Sequence, residues 1–349
     1  RHNNLKMLFP EDNVILASNE FEILHSDYII SHIMDLWRNR IMNKRIEWID
    51  VAKGLGILSV ILTHCYIPET LLKHYLYSFH MPLFFILSGY FHKVDIQMNI
   101  IKKRFRTLII PYVFFYITST LIYLVIVNFG RNAGADNIEL QIQRIVGMFY
   151  GVGDDMWMWN ITLWFLVCLF VVTVFYNYLS LHITKTRNLV FVLVFLSIVG
   201  YLTSLYLPFR IPWSIDVALS AILLYCFGAL LSKNNILERL VDSNISLLFI
   251  PISLITGLLN NEIDMNSNHY GNYFLFYIAG ISGTMSILIL SKRIFANSNV
   301  LKYFGNNSLI ILGTHTVILM ILPGILNRFI NIDYFFNDIL VKGIFLFVL

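Results

Sequence analysis

Nine unbroken apolar runs constrain this chain more than any other feature in it. They fall near residues 51–67, 75–92, 108–129, 161–180, 189–207, 213–232, 245–260, 272–291 and 308–327, and a tenth starts near 339 and stops at the last residue. A bilayer core needs about 20 apolar helical residues to cross it. With 57% hydrophobic and only 13% charged residues, a soluble domain of this length has no way to hide its apolar surface. The runs are continuous rather than alternating, so each reads as a helix and not as a barrel strand. The expected fold is all-α: a polytopic membrane helix bundle of about ten transmembrane helices, the last one truncated.

Residues 1–41 are a mixed polar stretch without a long apolar run, and Met42-Asn43-Lys44-Arg45 reads as a natural start just before the first span. The expected organisation is a non-native leader over 1–41 and one transmembrane domain over 42–349, incomplete at its C-terminal end. No small-residue cleavage site marks a signal peptide. Cys65, Cys168 and Cys226 have no metal or redox spacing and read as small apolar helix residues.

The basic residues set the orientation. Arg38, Arg40, Lys44 and Arg45 precede the first span, and Lys93, Lys102, Lys103, Arg104 and Arg106 follow the second. Lys185, Arg187, Lys233, Arg239, Lys292, Arg293 and Lys302 fall on the same side. The opposite loops hold Lys73, Arg131, Arg144, Arg210 and Arg328, with Lys342 at the last boundary. The N-terminus is therefore expected in the cytoplasm, in a multi-pass protein of the cell (inner) membrane. Topology accounts for the pI near 8.8, so no nucleic-acid partner is implied. The 130–160 segment, with Asp136, Glu139, Asp154, Asp155, Trp157 and Trp159, is expected to face outward.

Within the first span, Lys53 and His64 are eleven residues apart. That spacing brings them within roughly 20° of one helix face and about 16 Å apart along the axis. An ionisable group at membrane depth costs several kcal/mol and marks a functional candidate. Lys53 reads either as a snorkelling anchor paired with Asp50 or as a site for an anionic group entering from the cytoplasm. His64 reads either as a core histidine bonded across helices or as a general base.

Other polar groups invite the same double reading. In Ser78-Phe79-His80-Met81-Pro82, Pro82 is expected in an early helical turn and His80 near the outer surface; Ser88-Gly89 permits close helix approach. Ser88 lacks the elbow context of a serine hydrolase. Lys102-Lys103-Arg104-Phe105-Arg106 is a positive-inside stop or a polyphosphate site. Asp216 lies at the outer boundary of the sixth span, Ser308 is placed to cap the ninth, and His315 lies at membrane depth.

Taken together and in order, these segments resemble the acyltransferase family 3 integral membrane proteins. Lys53 and His64 in "RIEWIDVAKGLGILSVILTH" match the family's Lys or Arg followed eleven residues later by His. "FHMPLFFILSGYF" (79–91) is similar to its second-span signature and "KKRFRTLIIPY" (102–112) to its cytoplasmic basic motif. "LWFLVCLF" (163–170), "WSIDVALSAILLYCFGALL" (213–231) and "FGNNSLIILGTH" (304–315) resemble later family segments. The resemblance covers roughly 43–349. It implies transfer of an acyl group, usually acetyl, from cytoplasmic acyl-CoA to a hydroxyl of an envelope polysaccharide or glycolipid. It also implies that Lys53 and the Lys103/Arg106 pair hold the donor's phosphates while His64 acts at the reacting centre. Lys103 stands where an Arg is commoner, and its ammonium lacks the guanidinium fork.

The resulting expectation is a donor bound through its phosphates near Lys53, Lys103, Arg104 and Arg106, with its pantetheine arm running toward His64. His315 is the second acid/base candidate, and no metal is expected. The alternative is a multi-span transporter of a small polar solute. No repeat of 20–50 residues and no inverted halves support that alternative, and acids within the spans are few.

Overall fold

The structure is a computed structural model that describes residues 46–64, 71–129 and 137–326. The expected leader over 1–41, Cys65, Arg131, Asp136, Arg328 and the run from 339 lie outside the described residues. Among the described residues the regular secondary structure is all helical, apart from one isolated β-bridge between Asp264 and His269.

Within the described residues, each of the nine apolar runs falls mainly on a helix. The first two helices, α1 (Glu47–His64) and α2 (Leu71–Tyr90), form the centre of the bundle. Next, α3 (Gln97–Arg104) passes through a π-turn (Phe105–Ile109) into α4 (Ile110–Phe129). Pro111 has no N–H for the helical ladder, which fits the widening of the backbone just before it. After α5 (Ile138–Tyr150), a 3₁₀ turn (Ile161–Leu163) leads into α6 (Trp164–His182). Then come α7 (Thr186–Tyr206), α8 (Ile215–Leu231), α9 (Ile236–Asp242), α10 (Phe249–Leu259), α11 (Tyr273–Arg293), α12 (Asn299–Asn306) and α13 (Ser308–Leu326).

Five helical segments are long and apolar enough to cross a membrane, or up to seven if each sharply bent pair is one span. The bends are 71° between α9 and the segment containing α10, and 82° between α12 and α13. Neither α1 nor α2 is among the five. α1 carries Glu47, Asp50 and Lys53, and α2 carries Lys73, His74 and His80. The chain is a polytopic bundle of membrane helices, with α1 and α2 largely buried inside it.

One expectation changes with the helix boundaries. α2 begins at Leu71, so Pro82 sits in the helix interior rather than in an early turn. It packs there against Gly280 of α11. The 130–160 segment contains α5, an amphipathic helix that Asn137 caps by accepting from Leu140 N–H at 2.8 Å.

Close helix approach fixes the central elements. A Cβ on Gly54 would lie 2.1 Å from the Leu301 carbonyl oxygen, and one on Gly305 would lie 1.8 Å from that of Asp50. Glycine at both positions lets α12 cross α1 with backbones touching. Ion pairs then gather several basic residues at the end where α1 begins: Lys302 with Glu47 at 2.5 Å and Lys292 with Asp242 at 2.6 Å. Lys292 also stands over the Trp48 ring, 5.6 Å from its centroid.

Candidate active site

Because α1 is unbroken, the eleven-residue register between Lys53 and His64 is kept in space. At the α1 N-terminal end, Lys53 Nζ donates to Asp50 Oδ1 at 3.2 Å and stands 5.2 Å from the Phe91 ring centroid. The pairing expected from their spacing is present. At the other end, the His64 ring lies 5.3 Å from the His315 ring, with the planes inclined by 55°.

His64 faces a small chamber of about 60 Å³, which it lines with His80, Tyr77, Thr162, Asp264 and Asn266. Val60, Met81 and Leu312 supply its apolar wall. His315 is 2% exposed and stands behind His64 rather than in the chamber wall. Its Nδ1 lies 2.9 Å from the Ile311 carbonyl and 3.1 Å from that of Leu312. A carbonyl only accepts, so Nδ1 carries the proton and Nε2 keeps its lone pair. That Nε2 is buried without a hydrogen-bond partner among the described residues. His80 is fixed the same way, its Nδ1 donating to the Leu76 carbonyl at 2.7 Å. At 3% exposed, it is buried in the chamber wall.

A buried polar knot holds the His315 segment. Asn160 Nδ2 donates to the Gly313 carbonyl at 2.9 Å, and its Oδ1 accepts from Thr162 and Thr316 hydroxyls, both at 2.8 Å. Thr162 Oγ1 also reaches the Leu312 carbonyl at 3.1 Å. The amide therefore ties the start of α6 to both sides of His315. Asp216, 1% exposed, has a comparable task on the other side of the chamber. It accepts from Arg210 Nε at 2.6 Å, and Arg210 Nη1 donates to the Asn266 carbonyl. The acid expected at a boundary is thus a buried anchor for the loop that closes the chamber.

Toward the α1 N-terminal end, an apolar cavity of about 240 Å³ shares Val60, Met81 and Leu312 with the chamber. Its other lining residues include Phe84, Phe165 and Leu166, and its polar positions are Ser88, Arg104, Thr107 and Ser308. Arg104 is half-buried, with its Nε buried and unpartnered among the described residues. Lys103 and Arg106 are exposed, and neither they nor Lys53 line this cavity. Of the four expected phosphate ligands, the structure brings one, Arg104, to the cavity itself.

His80, Asn160, Thr162 and Arg210 complete the site, and none of them is among the catalytic or phosphate-binding residues expected from the sequence. Asn160 and Thr162 are visible in the sequence as polar residues at the head of an apolar run. Their partners on α13, about 150 positions away, have no local signal. Among the described residues, no group of three or more His, Cys, Asp or Glu side chains is arranged to hold a metal ion.

The comparisons with curated proteins and with solved structures match nothing. The model of an acyltransferase domain matches residues 46–349, a stretch that takes in every described helix, the His64–His315 pair and Arg104. On the strength of that match, the chain belongs to acyltransferase family 3, a family of membrane acyltransferases.

Proposed function

We propose that this membrane acyltransferase moves a short acyl group, acetyl, from cytoplasmic acyl-CoA to a hydroxyl of a cell-envelope carbohydrate. The observation that carries the reading is the apolar cavity with Arg104 at one end and the His64 chamber at the other. Donor phosphates bind at Arg104, with Lys53, Lys103 and Arg106 adding positive charge around the entrance. A guanidinium fork suits phosphate oxygens, and a buried Nε without a partner is costly until an anion arrives. The pantetheine arm occupies the apolar cavity, and its thioester passes the Val60–Met81–Leu312 collar to reach His64. Basic residues on the entry side support a cytoplasmic setting for that face and for the N-terminus, in a protein of the inner membrane.

In the chamber, His64 takes the proton of the acceptor hydroxyl as the oxygen attacks the thioester carbonyl carbon. The tetrahedral intermediate collapses, the carbon–sulfur bond breaks, and the imidazolium returns the proton to the departing thiolate. The products are the ester and free CoA. A modest turn of the His64 ring lets its other N–H donate to the lone pair on His315 Nε2. That contact fixes the tautomer of His64 and spreads the charge it acquires. A chamber of about 60 Å³ has room for about four to six water-sized groups at roughly 10–15 Å³ each, which matches an acetyl group with an attacking hydroxyl.

The test is transfer of labelled acetyl from acetyl-CoA into envelope glycans, comparing cells that carry the protein with cells that carry His64→Ala at equal membrane expression. Incorporation lost in the variant supports the reading. Incorporation unchanged by the variant removes His64 from the chemistry. No incorporation with the unaltered protein refutes the acetyl donor or the envelope acceptor.

A further inference from the structure

The chamber borders a second cavity, at the end of the bundle where α1 stops and α2 begins. It measures about 200 Å³ and is lined by Lys73, His74, Tyr77, Glu262, Ile263 and Asp264. Tyr77 and Asp264 belong to both walls. Five of the six lining side chains are polar, in contrast to the apolar cavity at the opposite end.

The walls of this cavity are built in advance of any ligand. Asp264 Oδ1 accepts from Asn266 N–H at 2.9 Å and Oδ2 from the Ser267 hydroxyl at 2.6 Å. The same loop is closed by the Asp264–His269 bridge and tied down by Arg210 through the Asn266 carbonyl. Asn260 pins its two ends together, accepting from Asn261 N–H at 2.9 Å and Asn272 N–H at 2.7 Å. His74 Nε2 donates to the Asn260 carbonyl at 3.0 Å, which leaves its Nδ1 as an acceptor. The Tyr77 ring, edge-on to His80 at 5.0 Å, forms an aromatic partition between this cavity and the chamber.

We infer that this cavity is the binding site for one uncharged sugar ring of the acceptor. The inference rests on the acyltransferase reading above and names the residues that read the acceptor. Three properties point to that chemistry. Densely mixed donors and acceptors suit a polyol, whose hydroxyls both give and accept hydrogen bonds. An aromatic wall suits the apolar face of a pyranose, because an aromatic ring offers area at little entropic cost. The charges are one lysine against two carboxylates, an arrangement that disfavours an acidic sugar. At roughly 10–15 Å³ per water-sized group, 200 Å³ accommodates about one six-membered ring. A hydroxyl of that ring, directed past Tyr77 and Asp264, enters the His64 chamber.

The test needs no donor, so it stands or falls apart from the transfer reaction. In a Cys65→Ser background, with Cys168 and Cys226 buried, Ile263→Cys places one thiol in the cavity wall and keeps Lys73, Glu262 and Asp264 in place. The full chain in nanodiscs is labelled with a charged thiol reagent. Saturating methyl glycosides of glucose, galactose, mannose or N-acetylglucosamine are then added, with methyl glucuronoside and glycerol as controls. We expect at least one neutral glycoside to slow labelling about fivefold or more by mass action, and the controls to leave it unchanged. Adding Tyr77→Leu, or Lys73→Met, should abolish that protection. The inference is overturned if none of the four neutral glycosides protects, if glucuronoside or glycerol protects equally, or if protection survives both substitutions. Protection without acyl transfer would uphold the sugar site and count against the donor assignment alone.

Discussion

The Asn160 knot yields the sharpest prediction about how the fold sets the chemistry. Asn160 is 2% exposed and makes three hydrogen bonds, to the Gly313 carbonyl and from the Thr162 and Thr316 hydroxyls. Side-chain hydrogen bonds between membrane helices average about 0.6 kcal/mol, with a maximum near 1.7. Two of the three, to Gly313 and from Thr316, cross between elements and give roughly 1 kcal/mol, and about 3 at the upper limit. Thr162 is local to Asn160 and keeps its bond to the Leu312 carbonyl, so Asn160→Ala should cost about 1–2 kcal/mol. That cost is small enough for the protein to insert and fold. The catalytic effect should be larger. Gly313 and Thr316 flank His315, and a displacement of about 1 Å at a catalytic group costs on the order of 100-fold. We therefore expect kcat to drop about 30- to 100-fold in Asn160→Ala, with the acyl-CoA KM within about twofold, because Arg104 lies at the far end of the donor cavity. Steady-state thiol release in detergent or nanodiscs, alongside thermal unfolding, separates the two effects. Asn160→Asp, which keeps the acceptor but loses the donor to Gly313, should lie between the extremes. Wild-type kcat in Asn160→Ala would refute the claim that this knot positions His315. A rise in donor KM matching the fall in kcat would refute it equally.

Three further outcomes follow from the same geometry. Gly54→Ala and Gly305→Ala each drive a methyl into a backbone carbonyl, at 2.1 and 1.8 Å, and should destabilise by about 1–3 kcal/mol or prevent assembly. Gly56→Ala meets only the end of the Leu83 side chain first, at 2.5 Å, and should unfold closer to wild type in the same thermal assay. Arg104→Ala should raise the acyl-CoA KM about 10- to 100-fold, whereas Lys103→Ala and Arg106→Ala, both exposed and screened by salt, should change it by less than about threefold. Met81→Ala opens the collar between cavity and chamber, so the ratio of butyryl to acetyl transfer should rise about tenfold; an unchanged ratio would show that the collar does not gauge acyl length.

Much of the fold and part of the site are legible in the chain, and the misses share a physical cause. Periodicity within one helix is local information, so the Lys53–His64 register and the Asp50–Lys53 pair can be read directly. The helix runs are equally plain, because apolar length is a property of a segment. The approach of His315 to His64 depends on α12 and α13 bending by 82° across α1, which no window of sequence displays. The basic motif offers more ligands than the cavity takes, with Arg104 lining it and Lys103 and Arg106 exposed. Lys102, Lys103, Arg104 and Arg106 are equivalent as charges, and only the helical face, shifted by the π-turn before Pro111, decides that Arg104 turns inward. Asp216 looks interfacial because its partner Arg210 precedes it in a loop, and the fold alone buries the pair.

The arrangement of polarity carries a general consequence for the bundle. Thr186–Tyr206 has the highest mean hydropathy of the five span-like segments, at 2.3, and only 22% of its apolar window is buried. Helix α1, with Glu47, Asp50 and Lys53, is less suited to lipid, yet 11 of its 18 residues are buried. Two of the five lipid-like segments, Gln97–Ile126 and Thr186–Tyr206, at 33% and 22% burial, therefore form the wall, whereas Ile161–His182, Pro212–Leu231 and Tyr273–Arg293, each 67% buried, share the interior with α1 and α2 and supply partners for their polar groups. Asp50, His80 and His315 are tolerated at depth because protein, not hydrocarbon, surrounds them. A chain built this way should insert its wall helices readily and commit α1 and α2 only as the rest of the bundle closes around them. Glycosylation-mapping of truncated chains would check this. With the chain ended after α2, the α1–α2 hairpin should span incompletely. With the chain extended through α8 and α11, which pack on it, insertion should become complete. Full insertion of the isolated hairpin would show that its polar groups need no partners, and would break the link between polar burial and a site at the bundle's centre.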